Sequence, residues 1–227
     1  MPYLVSILFS VAAGLAAGKP AGGGPVARTY SYLALGDSYT AGESVKTEQS
    51  FPYLLRERLT QAGYPVSEPK VVAKTGWTTD ELQRGIGTKN KQAPADFVTL
   101  LVGVNDQFRG YAPEAYRKAF RSLLVTAVSM SVKKEHVFVL SIPDWGVTPF
   151  AAQNGYTAAA VAREIDVFNA INREECRTAG ISYTDITPGS RRAASDVSLI
   201  AGDGLHPSGK MYAEWAELLF PKVKAVL

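Results

Sequence analysis

Two apolar runs, Phe97-Val98-Thr99-Leu100-Leu101-Val102 and Val137-Phe138-Val139-Leu140, limit what this chain can become more than anything else in it. Neither alternates polar with apolar residues, so neither suits a strand with one wet face. Both read as strands buried on both sides, which belong to a parallel sheet between two helical layers. The remaining pattern agrees. Tyr30 to Leu35, Val71 to Ala73 and Ile181 to Ile186 are further β-prone stretches. Between them, apolar residues recur at helical spacing: Phe51, Leu54, Leu55 and Leu59 after Ser50, with Gly63 as the stop. Tyr116, Phe120, Leu123 and Leu124 follow Pro113; Val161, Ile165, Phe168 and Ile171 precede Gly180; Met211, Trp215, Leu218 and Leu219 follow Pro207. A shorter helix opens at Thr78 or Thr79 ahead of Asp80 and Glu81. Five strands separated by helices predict one α/β domain, a three-layer sandwich on a five-stranded parallel sheet, over residues 29–227.

A formal charge of +3 over 227 residues, with no basic block, is too weak a field to draw nucleic acid, and no nucleic-acid motif accompanies it. The single cysteine, Cys176, allows no internal disulfide and reads as a buried thiol on a helix. With only His136 and His206 besides, no His/Cys set for a metal is available. Residues 1–17 form an apolar, small-residue leader, too short to span a membrane comfortably, ending in Gly14-Leu15-Ala16-Ala17-Gly18. It is expected to be a secretory signal peptide, although no Lys or Arg precedes its apolar run. Residues 18–28, with Gly22-Gly23-Gly24-Pro25, read as a linker. The chain is therefore expected to be secreted or periplasmic, without stable membrane insertion.

Open parallel sheets carry their sites at the carboxyl ends of strands, beside the point where strand order reverses. Four segments there hold reactive chemistry. Gly36-Asp37-Ser38 follows the first strand and presents a hydroxyl and a backbone N–H at the sheet rim, although Gly-Asp-Ser is equally ordinary turn chemistry. Gly76 follows the second strand, where a glycine lets backbone approach a ligand, or simply closes a loop. Asn105 follows the third, able to aim its amide at a developing oxyanion. Asp203 and His206 follow the fifth, spaced so that the carboxylate can orient the imidazole as a base. His136 starts a strand at the opposite end of the sheet and has no such partner, so it reads as structural.

Taken together, Gly36-Asp37-Ser38, Gly76, Gly103-Val104-Asn105-Asp106 and Asp203 with His206 resemble the four blocks of the SGNH hydrolases, the GDSL esterases and lipases. Tyr39 stands where the Gly-Asp-Ser-Leu version has leucine, and the Gly-x-Ser-x-Gly elbow of other α/β hydrolases is absent. The resemblance implies a flavodoxin-like sandwich and a serine-dependent ester hydrolase needing no metal or organic cofactor. Ser38, Asp203 and His206 would form the triad; Ser38, Gly76 and Asn105 would form the oxyanion hole. Trp77, Tyr111 and Trp145 are candidates for an aromatic rim that stacks on sugar or acyl chain. The absence of a long apolar insertion favours short acyl groups, acetyl above all, on small or polymeric carbohydrate. A lysophospholipase or thioesterase of the same fold, and a non-catalytic carbohydrate-binding module, are the competing expectations.

Overall fold

The computed structural model describes Met1 and residues 28–87 and 93–227, so the proposed leader beyond Met1 and most of the linker lie outside the described residues. Strands β1 (Tyr32–Gly36), β2 (Lys70–Ala73), β3 (Phe97–Leu101), β4 (Val137–Leu140) and β5 (Ser182–Thr184) form one sheet, entirely parallel, in the order β2-β1-β3-β4-β5. The helices are α1 (Ser38–Ala41), α2 (Phe51–Gln61), α3 (Thr79–Gly87), α4 (Val104–Phe108), α5 (Pro113–Ser129), α6 (Pro149–Gln153), α7 (Ala158–Ala179), α8 (Thr187–Arg191) and α9 (Gly209–Lys224). α2 packs on α9, while α5 packs on both α3 and α7. Every residue of β1, β3 and β4 is buried, as the near-continuous apolar runs require.

Local chemistry accounts for the ends. The Thr78 backbone N–H donates to Glu81 Oε2 at 2.9 Å and the Glu81 N–H to Thr78 Oγ1 at 3.4 Å, a reciprocal pair that starts α3. Ser50 precedes α2 as expected, but its hydroxyl donates to the Thr47 carbonyl at 2.8 Å instead of capping the helix. β5 is shorter than its apolar stretch suggests. Asp185 leaves the ladder to hold Arg173 at 2.7 Å, and the Ile186 N–H turns to Ser141 Oγ at 2.8 Å, which leads into α8. Cys176 is buried in α7, and burial pushes its thiol up to about 12. Among the described residues no helix is long and apolar enough to cross a membrane.

The order of the strands decides where chemistry can sit. β1 lies between β2 and β3, so the chain leaves it in opposite directions at the sheet's carboxyl edge and opens a crevice there. The segments after β1, β2 and β3 are therefore neighbours in space, although up to 70 residues separate Gly36 from Asp106 in sequence.

Candidate active site

Ser38 is the first residue of α1, directly past the end of β1. A Cβ on Gly36 would come within 2.3 Å of the Leu101 carbonyl oxygen, so only glycine lets β1 run this close to β3 before turning. Asp37 caps the short helix by accepting the Tyr39 N–H on Oδ1 at 3.0 Å. The Ser38 N–H is then one of the unpaired first-turn amides. Its side chain is nearly buried, yet the hydroxyl makes no hydrogen bond to any described residue.

Gly76 sits in a turn closed by the Trp77 N–H donating to Lys74 O at 3.1 Å, with φ +83°, a conformation glycine adopts freely. Asn105 is the second residue of α4, a helix the sequence pattern does not announce because it is only five residues long. Two side chains from this region clamp the glycine turn. Asn105 Nδ2 donates to Trp77 O at 3.0 Å, which leaves its second N–H free, and Arg109 Nη2 donates to Gly76 O at 2.6 Å while pairing with Glu81 at 3.3 Å.

Asp203 and His206 occupy a turn with Gly204 at φ +74°. Asp203 Oδ1 accepts the N–H groups of Leu205 and His206, both at 3.0 Å, and Oδ2 lies 2.5 Å from His206 Nδ1. Oδ2 also accepts the Ser44 hydroxyl at 2.6 Å. Partial burial pushes this carboxyl up, but the bonds from Ser44, His206 and the two amides outweigh it and hold Asp203 below the usual carboxylate range. The imidazole rests edge-on against the Tyr39 ring at 5.7 Å, so the residue in place of leucine forms the floor beneath the base.

These elements surround a cleft of about 180 Å³ that Ser38, Gly76, Asn105, His206 and Trp145 all line, with Asp203 behind the imidazole. Trp77 and Tyr111 are not on its walls. The Trp77 indole packs instead on α3, where a Cβ at Gly85 would be 2.3 Å from its Cη2, and Tyr111 lies exposed past the end of α4. Two wall residues, Phe108 and Phe150, escaped sequence reasoning; they come from α4 and α6, both too short to give a periodic pattern. Trp145 is fixed by its Nε1–H donating to Gln107 Oε1 at 2.8 Å and meets Phe108 edge-on at 5.5 Å. A larger hollow of about 440 Å³ lies elsewhere, along α7 and α8; Arg173 and Arg191 on it are paired at 2.7 Å with Asp185 and Asp166, and it offers no activated nucleophile. Among the described residues no group of three or more His, Cys, Asp or Glu side chains could hold a metal ion.

Two buried carboxyls underlie the cleft. Asp37 Oδ2 and Asp106 Oδ1 have no hydrogen-bond partner among the described residues. Burial pushes Asp37 up to about 8, helped by the charge of Asp106. Burial likewise lifts Asp106 to about 6, against the Thr79 N–H and hydroxyl that donate to its Oδ2 at 2.9 and 3.1 Å. A folded-state pKa above the unfolded one means the native state holds the extra proton, so stability is lost as pH rises from the unfolded value through the folded one. For Asp37 that window runs from 3.8 to about 8. The melting temperature is expected to fall across it, and less steeply in Asp37→Asn, whose amide keeps the cap and carries no charge. Equal slopes in thermal melts of the two proteins would contradict the assignment.

The family model of the GDSL-like Lipase/Acylhydrolase family matches residues 34–214. No curated protein matches the sequence. Among solved structures, a lipase/acylhydrolase from Enterococcus faecalis is 18% identical with a TM-score of 0.67, covering 86% of this chain and 96% of its own. The psychrotrophic esterase EstA from Pseudoalteromonas sp. is 16% identical with a TM-score of 0.65, covering 86% and 97%. A variant of Axe2, an acetyl xylan esterase from Geobacillus stearothermophilus, is 15% identical with a TM-score of 0.63, covering 86% and 94%. At such identities these neighbours speak for the flavodoxin-like sandwich alone; the family match extends from β1 into α9, and the chain belongs to the GDSL-like lipase and acylhydrolase family, as a hydrolase of esters.

Proposed function

We propose that this protein removes short acyl groups, acetyl above all, from a carbohydrate alcohol, with Ser38 as nucleophile. The observation that carries the reading is convergence: a hydroxyl, an imidazole and two amide donors line one cleft, and a carboxylate is bonded to the far side of the imidazole. With Nδ1 held by Asp203, Nε2 is the ring nitrogen left to take the Ser38 proton as Oγ attacks the carbonyl carbon. The negative oxygen of the tetrahedral adduct is met by the N–H groups of Ser38 and Gly76 and the second Asn105 Nδ2–H. One such donor is commonly worth about a hundred- to a thousand-fold in rate. Nε2 then protonates the departing alcohol. Water, deprotonated by the same nitrogen, cleaves the acyl-serine, releasing the acid and restoring Ser38. Asp203 stays ionised throughout, as its lowered pKa favours.

Size supports the short acyl group. A cleft of about 180 Å³ falls below the roughly 300–1,000 Å³ of sites that enclose drug-sized ligands, so a long acyl chain would project into water. The aromatic walls from Phe108, Trp145 and Phe150 offer faces on which a sugar ring can stack. An acetyl xylan esterase shares the fold, which is consistent with that alcohol. A series of p-nitrophenyl esters, acetylated xylan, lysophospholipid and an acyl-thioester separates the possibilities. The expected result is kcat/KM highest for acetyl, falling with each added pair of carbons, and release of acetate from xylan. Rising turnover with chain length would instead support the lysophospholipase or thioesterase, and saturable sugar binding without turnover the binding module.

A further inference from the structure

The Gly42–Val45 turn contains a serine where backbone geometry calls for glycine. The Val45 N–H donates to Gly42 O at 3.3 Å, which places Ser44 at the third position of the turn, with φ +64°. Glycine or asparagine ordinarily fills such a position, because a Cβ crowds the backbone there. Ser44 is the only residue other than glycine with positive φ among the described residues, and it is exposed, so core packing does not explain it. Its hydroxyl donates to Asp203 Oδ2 at 2.6 Å, the oxygen that also meets His206 Nδ1.

We propose that Ser44 is a positioning residue for ester hydrolysis, its hydroxyl fixing the Asp203 carboxylate that orients His206; this rests on the catalytic reading above. A carboxylate rotates easily about its last side-chain bond, since that torsion has broad wells. Asp203 is held by Leu205 N–H, His206 N–H and His206 Nδ1, all from its own turn, and by Ser44 from outside it. Among the described residues Ser44 is thus the one anchor that ties the carboxylate to the nucleophile's side of the cleft. Its neighbour Glu43 accepts the Thr75 hydroxyl, next to Gly76, so a single turn braces both the acid and the oxyanion glycine. With the Asp203 side chain 30% exposed, water competes for Oδ2 once the serine is removed.

Glycine is the discriminating substitution. Ser44→Gly relieves the positive φ and removes the hydroxymethyl group that carries the donor, so a merely structural role predicts unchanged or higher melting temperature with unchanged kcat. Positioning predicts the same melting temperature behaviour with kcat reduced roughly tenfold and KM nearly unaltered, because ground-state binding does not use the acid. Ser44→Asn, which tolerates the left-handed backbone and carries an N–H donor, is expected to recover most of the loss. Imidazole nitrogen NMR adds a signature: with two histidines in the chain, His136 serves as internal reference. The His206 Nδ1–H resonance should shift and broaden in Ser44→Gly and return in Ser44→Asn. Wild-type kcat and an unmoved His206 signal in Ser44→Gly, beside an inactive Ser38→Ala, would overturn this proposal while leaving the catalytic reading standing. An active Ser38→Ala would remove both.

Discussion

Ser38→Ala is expected to lower kcat by roughly four to six orders of magnitude while leaving the fold intact. The two halves of that expectation have separate causes. The hydroxyl makes no hydrogen bond to a described residue, so deleting it breaks nothing in the native state, and the site begins a helix, where alanine is well tolerated. Stability should stay within about 0.5 kcal/mol of wild type. The rate, by contrast, loses the covalent route altogether. What survives is the background supplied by binding and by the oxyanion donors. Steady-state kinetics on p-nitrophenyl acetate with a thermal melt of the same sample reads both. Residual turnover above roughly a tenth of wild type would show that another group attacks the ester.

His206→Ala should cost nearly as much, because a serine hydroxyl without a base at hand is a poor nucleophile. The sharper result is non-additive: Ser38→Ala combined with His206→Ala should be no slower than either alone, as groups acting in one step behave as a unit. His136→Ala provides the contrast. That imidazole sits at the amino end of β4, its Nδ1 within 2.7 Å of the Asp96 carbonyl, at the opposite end of the strands from the cleft. Its loss should leave kcat near wild type. Comparable losses in the two histidine variants would mean the base has been misassigned.

What the sequence reveals here depends on how far each signal acts. β3 and β4 were legible because burial on both faces demands a near-continuous apolar run, and the run tolerates few alternatives. The strand-end rule then brought Ser38, Gly76 and Asn105 to one crevice, since it follows from strand order and not from side-chain detail, whereas His206 reaches it on the long connection between β5 and α9. Trp77 was misplaced for a reason the rule cannot contain. The residue follows Gly76 in sequence, but its ring turns onto α3, where Gly85 leaves room for it, and only its carbonyl faces Asn105. Phe108 and Phe150 were hidden because five-residue helices carry no period to read. Ser44 was invisible for another cause: a positive φ is a property of the folded turn, and serine gives no hint of it.

One wall of this cleft is mounted differently from the oxyanion donors. Ser38, Gly76 and Asn105 are set by three adjacent strands, so their spacing is as stiff as the sheet. Phe150, by contrast, rides on α6, a single turn capped by Thr148 and fastened to the rest by its own N–H on Gly204 O at 2.9 Å. Swapping the side chain at position 150 for a smaller or more polar one should therefore retune which esters fit without shifting any atom that makes or breaks a bond.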